Sequence, residues 1–139
     1  MVIKKMNECI FCKIAKNEIP SYKIWEDKDF CAFLDINPIN KGHVLLIPKK
    51  HHDYLFDYNN KEYISIMLKA KMLSSKLKKI FSCKKIGLAV EGISISHLHL
   101  HLVPINNVND LDPCKAHSSN KEELEELQTK IKSFLDKNL

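Results

Sequence analysis

Three histidines alternate with leucine in His97-Leu98-His99-Leu100-His101-Leu102-Val103. On an extended chain, residues two apart share a face. The spacing therefore predicts a strand over 97–104, with His97, His99 and His101 in a row on one side. Leu98, Leu100 and Leu102 then turn to a core. A solvated strand face would ordinarily carry lysine, glutamate or threonine, so a row of imidazoles points to chemistry. Metal binding is one use, because neutral imidazole is a common ligand. Neighbours on one strand face sit about 7 Å apart, however, and three in line converge poorly on a single ion. Phosphate chemistry is the other use. One imidazole can attack phosphorus while its neighbours hold the phosphoryl oxygens as donors. Histidine titrates near neutral pH, which suits both tasks.

A second set of reactive side chains lies near the start of the chain. Cys9 and Cys12 are spaced for zinc or for redox chemistry, and two reduced thiols fit as well. The pair does not open a helix in a thioredoxin-like βαβ pattern. Five cysteines is an odd number, and no apolar h-region follows the lysines of Met1 to Met6. Free thiols or a metal site therefore suit the chain better than a disulfide framework, and the cytoplasm is the expected compartment. Cys31 alternates with apolar strand neighbours and reads as core. Cys83 and Cys114 carry no legible role. His52 reads as a surface histidine in a lysine-rich loop.

Composition narrows the field. There are 22 basic residues, all lysine, against 17 acidic ones, for a net charge of +5. That is no nucleic-acid footprint, and it excludes phosphate clamps built from arginine. With only three glycines, Gly42, Gly87 and Gly92, neither a Walker loop nor a GxGxxG fingerprint can form. Hydrophobic residues at 45% and charged residues at 28% describe a globular chain. No apolar run approaches the roughly 20 residues of a membrane span. Residues 1–139 read as one domain.

The elements that must position these side chains follow from periodicity. Residues 22–26, 30–34, 43–48, 86–90 and 97–104 read as strands, with Asp27-Lys28-Asp29 as a hairpin turn. Residues 35–42 are turn-rich. Residues 61–81 read as a helix with Tyr63, Met67, Ala70, Leu73, Leu77 and Phe81 on one face and an Asn59/Glu62 start. A second helix over about 120–137 buries Leu124, Leu127, Ile131 and Leu135, with Ser119 and Glu122 as its expected capping box. Residues 7–20 look irregular or weakly helical, and 105–118 have no clear pattern. The order predicts an α+β fold with a mostly antiparallel sheet of about five strands and two main helices.

Residues 97–103 match the His-φ-His-φ-His-φ-φ signature of the histidine triad (HIT) family of nucleotide hydrolases and transferases at every position. The resemblance continues, in order, through Cys9-Ile10-Phe11-Cys12-Lys13-Ile14, Asn17-Glu18-Ile19-Pro20, Ala32-Phe33-Leu34-Asp35-Ile36-Asn37-Pro38 and Gly42 to His51. It covers about residues 7–105. It is closest to the small nucleotide-binding branch that cleaves nucleoside phosphoramidates.

The resemblance implies a HIT-like fold that pairs into a homodimer, with the 61–81 helix in the contact. Tyr63, Ile64, Ile66, Met67 and Leu68 widen that helix's apolar face. It implies that His99 attacks the α-phosphate to form a covalent nucleotidyl-histidine, with no catalytic metal. His97 and His101 match flanking positions that contact phosphate or orient the nucleophile. Ser94 matches a phosphate-contacting or proton-relaying hydroxyl. Asp35 matches the position that binds the ribose hydroxyls, and His51 an additional histidine near the phosphate. Phe11, Phe33 and Ile36 line a base pocket or belong to the core. A purine nucleotide is the implied ligand. Some members hold structural zinc, which here would take Cys9, Cys12, His51 and His97. The chain departs from the family in Gly92-Ile93-Ser94, where Gly-Gln-Ser is usual, and in a shorter segment from Val90 to Gly92 without the usual asparagine. No family tryptophan or glycine pair follows the triad. Cleavage of a dinucleoside polyphosphate is the alternative reaction, and a zinc-stabilised nucleotide-binding module with little turnover is the alternative of another class.

Overall fold

A computed structural model describes residues 8–138. The lysine-bearing start, Met1 to Met6, lies outside the described residues. Five strands form one antiparallel sheet: β1 (Lys23–Glu26), β2 (Phe30–Leu34), β3 (Val44–Pro48), β4 (Lys85–Ala89) and β5 (Leu100–Ile105). Their order across the sheet is β1-β2-β3-β5-β4. Three helices accompany them: α1 (Ile10–Ala15), α2 (Asn60–Phe81) and α3 (Lys121–Asn138). No helix among the described residues is long and apolar enough to cross a membrane.

β2 and β3 are apolar at every position, FCAFL and VLLIP, because both faces of the sheet are covered. Ala32, Leu34, Val44, Leu46, Leu98, Leu100 and Leu102 pack with Ile66, Leu73 and Leu77 of α2 and Leu127 and Ile131 of α3. Cys31, Phe33, Leu45 and Ile47 on the opposite face pack with Phe11, Cys12 and Ile14 of α1. The alternation expected of the histidine row is realised, with the leucines in the first core and the imidazoles on the α1 side. Ile66, expected on a partner-facing surface, is fully buried in the core, whereas Tyr63, Ile64 and Leu68 are exposed.

The strand carrying the histidines begins later than its pattern suggests. β5 starts at Leu100, and His97 to His99 precede it. The β3 ladder pairs Leu46 with Leu100 and Val44 with Leu102. Further along β3 stands Pro48, which has no N–H to continue the ladder. Its carbonyl instead takes the ring of His97, and the Leu98 N–H donates to the His52 carbonyl at 2.6 Å.

Local sequence explains the helix ends. The Asn59 side chain accepts from the Glu62 N–H at 2.8 Å and caps α2. At α3 the cap is Asn120, which accepts from the Glu123 N–H at 2.8 Å, while the Ser119 hydroxyl donates to the Glu123 carboxylate. This displaces the expected Ser119/Glu122 box by one residue. Residues 7–20, expected to be irregular or weakly helical, contain α1. Cys9 caps it by accepting from the Cys12 N–H at 3.4 Å. Residues 105–118 form turns and a short 3-10 turn, Pro113–Lys115, tied down by Asp110 accepting from the Asn106 and Asn107 N–H groups.

Candidate active site

Pairing register sets the floor of the site. Phe33 lies opposite Leu45, and Leu45 opposite His101, so the three form one row across the α1 face of the sheet. A cavity of about 670 Å³ opens over this row. His99, His101, Ser94, Asp35, Phe11, Phe33 and Ile36 all line it. Phe11 and Phe33 meet edge to face at 5.5 Å, and Phe11 packs edge-on against His99 at 5.0 Å. Ile36 is 57% exposed, which makes it a cavity rim residue and not core. Ser94 is exposed at the mouth.

Hydrogen bonds determine which ring nitrogens carry protons. The His97 carbonyl lies 2.7 Å from His99 Nδ1. A carbonyl only accepts, so Nδ1 holds the proton and the Nε2 lone pair of His99 is free. A second chain of bonds orients His101. The Ile39 N–H donates to His43 Nδ1 at 3.0 Å, which leaves the proton of neutral His43 on Nε2. That N–H points at His101 Nδ1, 2.9 Å away, and so places the His101 proton on Nε2. The site thus presents one imidazole with a free lone pair beside another with a free N–H, their ring centres 5.0 Å apart.

Burial keeps the His43 and His101 rings neutral. It pushes His43 down to about 3, helped by its neighbour His101, and pushes His101 down to about 4, helped by His99. Asp35 approaches His43 Nε2 at 3.6 Å, but the two are no ion pair near neutral pH because His43 carries no charge there. Burial also raises the Asp35 carboxyl, opposed by the Asn37 N–H that donates to it at 2.8 Å and by His99. Asp35, His43 and His101 lie close enough together to suggest a metal site. The Ile39 bond argues against that, because it occupies the nitrogen lone pair of neutral His43 and leaves an N–H facing the other two.

His43 is the functional side chain that sequence reasoning missed. It is 1% exposed and stands immediately before β3 at the head of an apolar run, where it looks like a strand boundary. The signal available was the preceding glycine. Gly42 has φ +89°, and a Cβ there would lie 2.5 Å from the Phe81 ring, so the turn that delivers His43 demands glycine.

His97 belongs to a different cluster from its two partners. Its Nε2–H donates to the Pro48 carbonyl at 2.9 Å, which turns the Nδ1 lone pair toward sulfur. Cys9 Sγ lies 3.3 Å and Cys12 Sγ 3.4 Å from that nitrogen, and His51 Nδ1 is 3.3 Å from Cys12 Sγ. Zinc–sulfur bonds of about 2.3 Å and zinc–nitrogen bonds of about 2.05 Å at tetrahedral angles place S and N about 3.5 Å apart. The four donors therefore fit a tetrahedral ion closely, and the Pro48 carbonyl supplies the outer contact that metal-bound imidazoles require. Burial, followed by the neighbouring Cys9, pushes the Cys12 thiol up to about 11, so a cation is what would hold both sulfurs as thiolates. His52 takes no part in either cluster and stacks on Tyr58 at 3.8 Å.

A small antiparallel α+β domain carrying a histidine row beside a Cys₂His₂ cluster is the class that fold and site define. The HIT domain model matches residues 16–108, and the chain belongs to the HIT family. A HIT-like protein of Borreliella burgdorferi is 40% identical over 106 residues, covering 71% of this chain and 76% of its own length. Adenosine 5'-monophosphoramidase HNT1 of Saccharomyces cerevisiae is 40% identical over 97 residues, covering 69% of this chain and 61% of the yeast protein. Among solved structures, a zinc-bound histidine triad family protein from Mycobacterium smegmatis superposes with a TM-score of 0.78 at 26% identity, over 94% of this chain and 95% of that one.

Proposed function

We propose that this protein hydrolyses the P–N bond of nucleoside 5'-phosphoramidates through a covalent intermediate on His99. The observation that carries the reading is the proton placement. His99 Nδ1–H is held by the His97 carbonyl, leaving Nε2 as a nucleophile directed into the cavity. Similarity to the yeast monophosphoramidase over most of this chain supports the substrate class.

In the first step the His99 Nε2 lone pair attacks the α-phosphorus. The P–N bond to the leaving group breaks, and its electrons stay with the departing nitrogen. That nitrogen takes a proton from the Ser94 hydroxyl, which is replenished from solvent. The His101 Nε2–H donates to a non-bridging phosphoryl oxygen and stabilises charge gathering there. In the second step water attacks phosphorus and gives up a proton to solvent, the P–N bond to His99 breaks, and its electron pair returns to His99 Nε2. Splitting one displacement into two lowers each barrier. Asp35 accepts from the ribose hydroxyls, and Phe11, Phe33 and Ile36 enclose a purine. No step uses a metal.

Cys9, Cys12, His51 and His97 hold structural zinc in this reading, and the zinc-bound mycobacterial relative supports it. When bound, the ion would keep the two sulfurs as thiolates and lock α1 to the histidine row. His51 and His97 then serve the ion and not the phosphate. A reducing cytoplasm suits two free thiols of this kind, and the working unit is a homodimer.

The test is nucleotide release, measured by chromatography, from adenosine 5'-phosphoramidate and from a diadenosine polyphosphate, with wild type beside His99→Ala. Release of AMP from the phosphoramidate, lost in the variant, is expected. Preferred cleavage of the polyphosphate would move the protein to the other hydrolase branch. Nucleotide binding without cleavage of either would leave a binding module.

A further inference from the structure

We propose that α3, which lies beyond the matched HIT region, reads the base of the bound nucleotide and selects guanine over adenine through Glu125 and Lys121. The proposal rests on the cavity being a nucleotide site. Sites for small ligands start at about 300 Å³, and this cavity of about 670 Å³ runs well past the histidines to Ser21, Tyr22, Lys121, Glu125 and Gln128. Its lining changes character along its length. Across the sheet the lining passes from the His101 imidazole on β5 through Leu45 on β3 and the Phe33 ring on β2 to Ser21 and Tyr22 just before β1, against which α3 packs with Lys121 and Glu125 at the cavity. A nucleotide presents the same order of chemistry, from phosphate through ribose to the polar edge of the base.

The position of α3 is fixed and not incidental. The Ser119 N–H donates to the Ile36 carbonyl at 3.0 Å and the His117 N–H to the Pro38 carbonyl at 3.3 Å, which ties the helix to the loop following Asp35. Leu124 and Leu127 anchor its inner face in the core. Gln128 Nε2 donates to the Lys23 carbonyl at 2.9 Å, which pins this part of α3 to β1 beside the cavity. Lys121 Nζ lies 3.8 Å from Glu125 Oε1, so the two groups can engage adjacent atoms of one base edge.

Hydrogen-bond inventory sets the preference. An ionised carboxylate only accepts. Guanine offers it two adjacent donors, N1–H and N2–H, while its O6 accepts from the Lys121 ammonium. Adenine offers the carboxylate only N6–H, and its N1 lone pair takes the lysine. Guanine therefore gains one additional charge-assisted bond. Glu125 is half-exposed at 53% and Lys121 more so at 79%, so solvent limits the effect. The expected preference is about threefold to tenfold in kcat/KM.

The experiment compares guanosine and adenosine 5'-phosphoramidates, with GMP and AMP binding measured by calorimetry on the same preparations. Wild type, Glu125→Gln and Glu126→Gln are compared, the last lying one residue along α3 and outside the cavity lining. Guanine preference in wild type and in Glu126→Gln, falling to one or below in Glu125→Gln, is the expected result. The amide offers one acceptor and one donor, which suits adenine better. A wild-type ratio near one, or a ratio unmoved by Glu125→Gln, overturns the proposal. If neither phosphoramidate is cleaved, the hydrolase reading fails separately, and the GMP to AMP affinity ratio still decides the base proposal.

Discussion

His43 accepts from the Ile39 N–H with one nitrogen and presents the N–H of the other to His101, so one buried ring sets the tautomer of another. Replacing it with alanine orphans a buried N–H and opens a cavity, for an expected loss of about 2–4 kcal/mol in stability. The His101 proton would also lose its fixed place, and kcat is expected to fall about tenfold to a hundredfold with a smaller change in KM. His43→Asn should recover part of kcat, because its amide can accept and donate in the same places. Equal kcat in all three proteins would refute the relay. Acid sensitivity follows from the same rings. The folded protein holds His43 near 3 and His101 near 4, below the ordinary value of about 6.5. A depressed folded value makes the neutral form part of the native state. The associated stability is full above about pH 6.5 and is lost as pH falls toward 3–4. Denaturant midpoints taken between pH 7 and pH 4 are expected to decline across this window, and less steeply in His43→Asn. A flat profile would remove these histidines from the stability account.

Among the elements, α1 has an influence beyond its six residues. Cys9 caps it and Cys12 sits in its first turn, so folding α1 brings both sulfurs to His97. The His97 carbonyl in turn fixes His99. Zinc in the native protein is therefore expected at one ion per chain by elemental analysis, and Cys12→Ser should lose most of it. Chelation should lower Tm by roughly 10 °C in wild type and little in the variant, as expected when a ligand of the native state is removed. Purified protein that lacks zinc, with the same Tm with and without chelator, would defeat this assignment. The strands, α2 and α3 were legible because their apolar periods are long and their sheet faces are unambiguous. The histidine row was legible because period 2 leaves only one face for three imidazoles. The start of β5 was not, since it depends on Pro48 standing across the ladder, and proline's effect there is tertiary. α1 was scarcely legible because six residues carry too little periodicity, and its cap is a cysteine sulfur. His43 was hidden because its partners, Ile39 and His101, meet it only after the sheet forms.

At the scale of the whole molecule, α2 and the segment before it present an apolar surface. Phe56 is 68% exposed, Tyr54 53%, Ile64 55% and Leu68 57%, and Tyr63 joins them. The aromatic rings form a connected group, with Tyr54 and Phe56 at 5.6 Å and Phe56 and Tyr63 at 6.3 Å. Contiguous apolar surface of this kind on a small domain marks a partner face. The sheet adds a second reason. β4 lies at its edge with one side of its backbone unpaired and Leu88 exposed, and an uncovered edge strand is a template for another strand. A second copy of the chain, related by a two-fold axis, would supply both the strand and the complementary apolar face, and two-fold pairing is the commonest way such surfaces close. Light scattering at micromolar concentration is therefore expected to give about twice the 16.1 kDa chain mass. Ile64→Glu should shift the population toward the single chain, because a buried unpaired carboxylate at the contact costs several kcal/mol. The side chain lies outside both histidine clusters, so the monomeric variant should keep its zinc and its Tm under chelation should still fall. A wild-type mass of a single chain would show that this face and the β4 edge are left to solvent, and that the cavity works within one subunit.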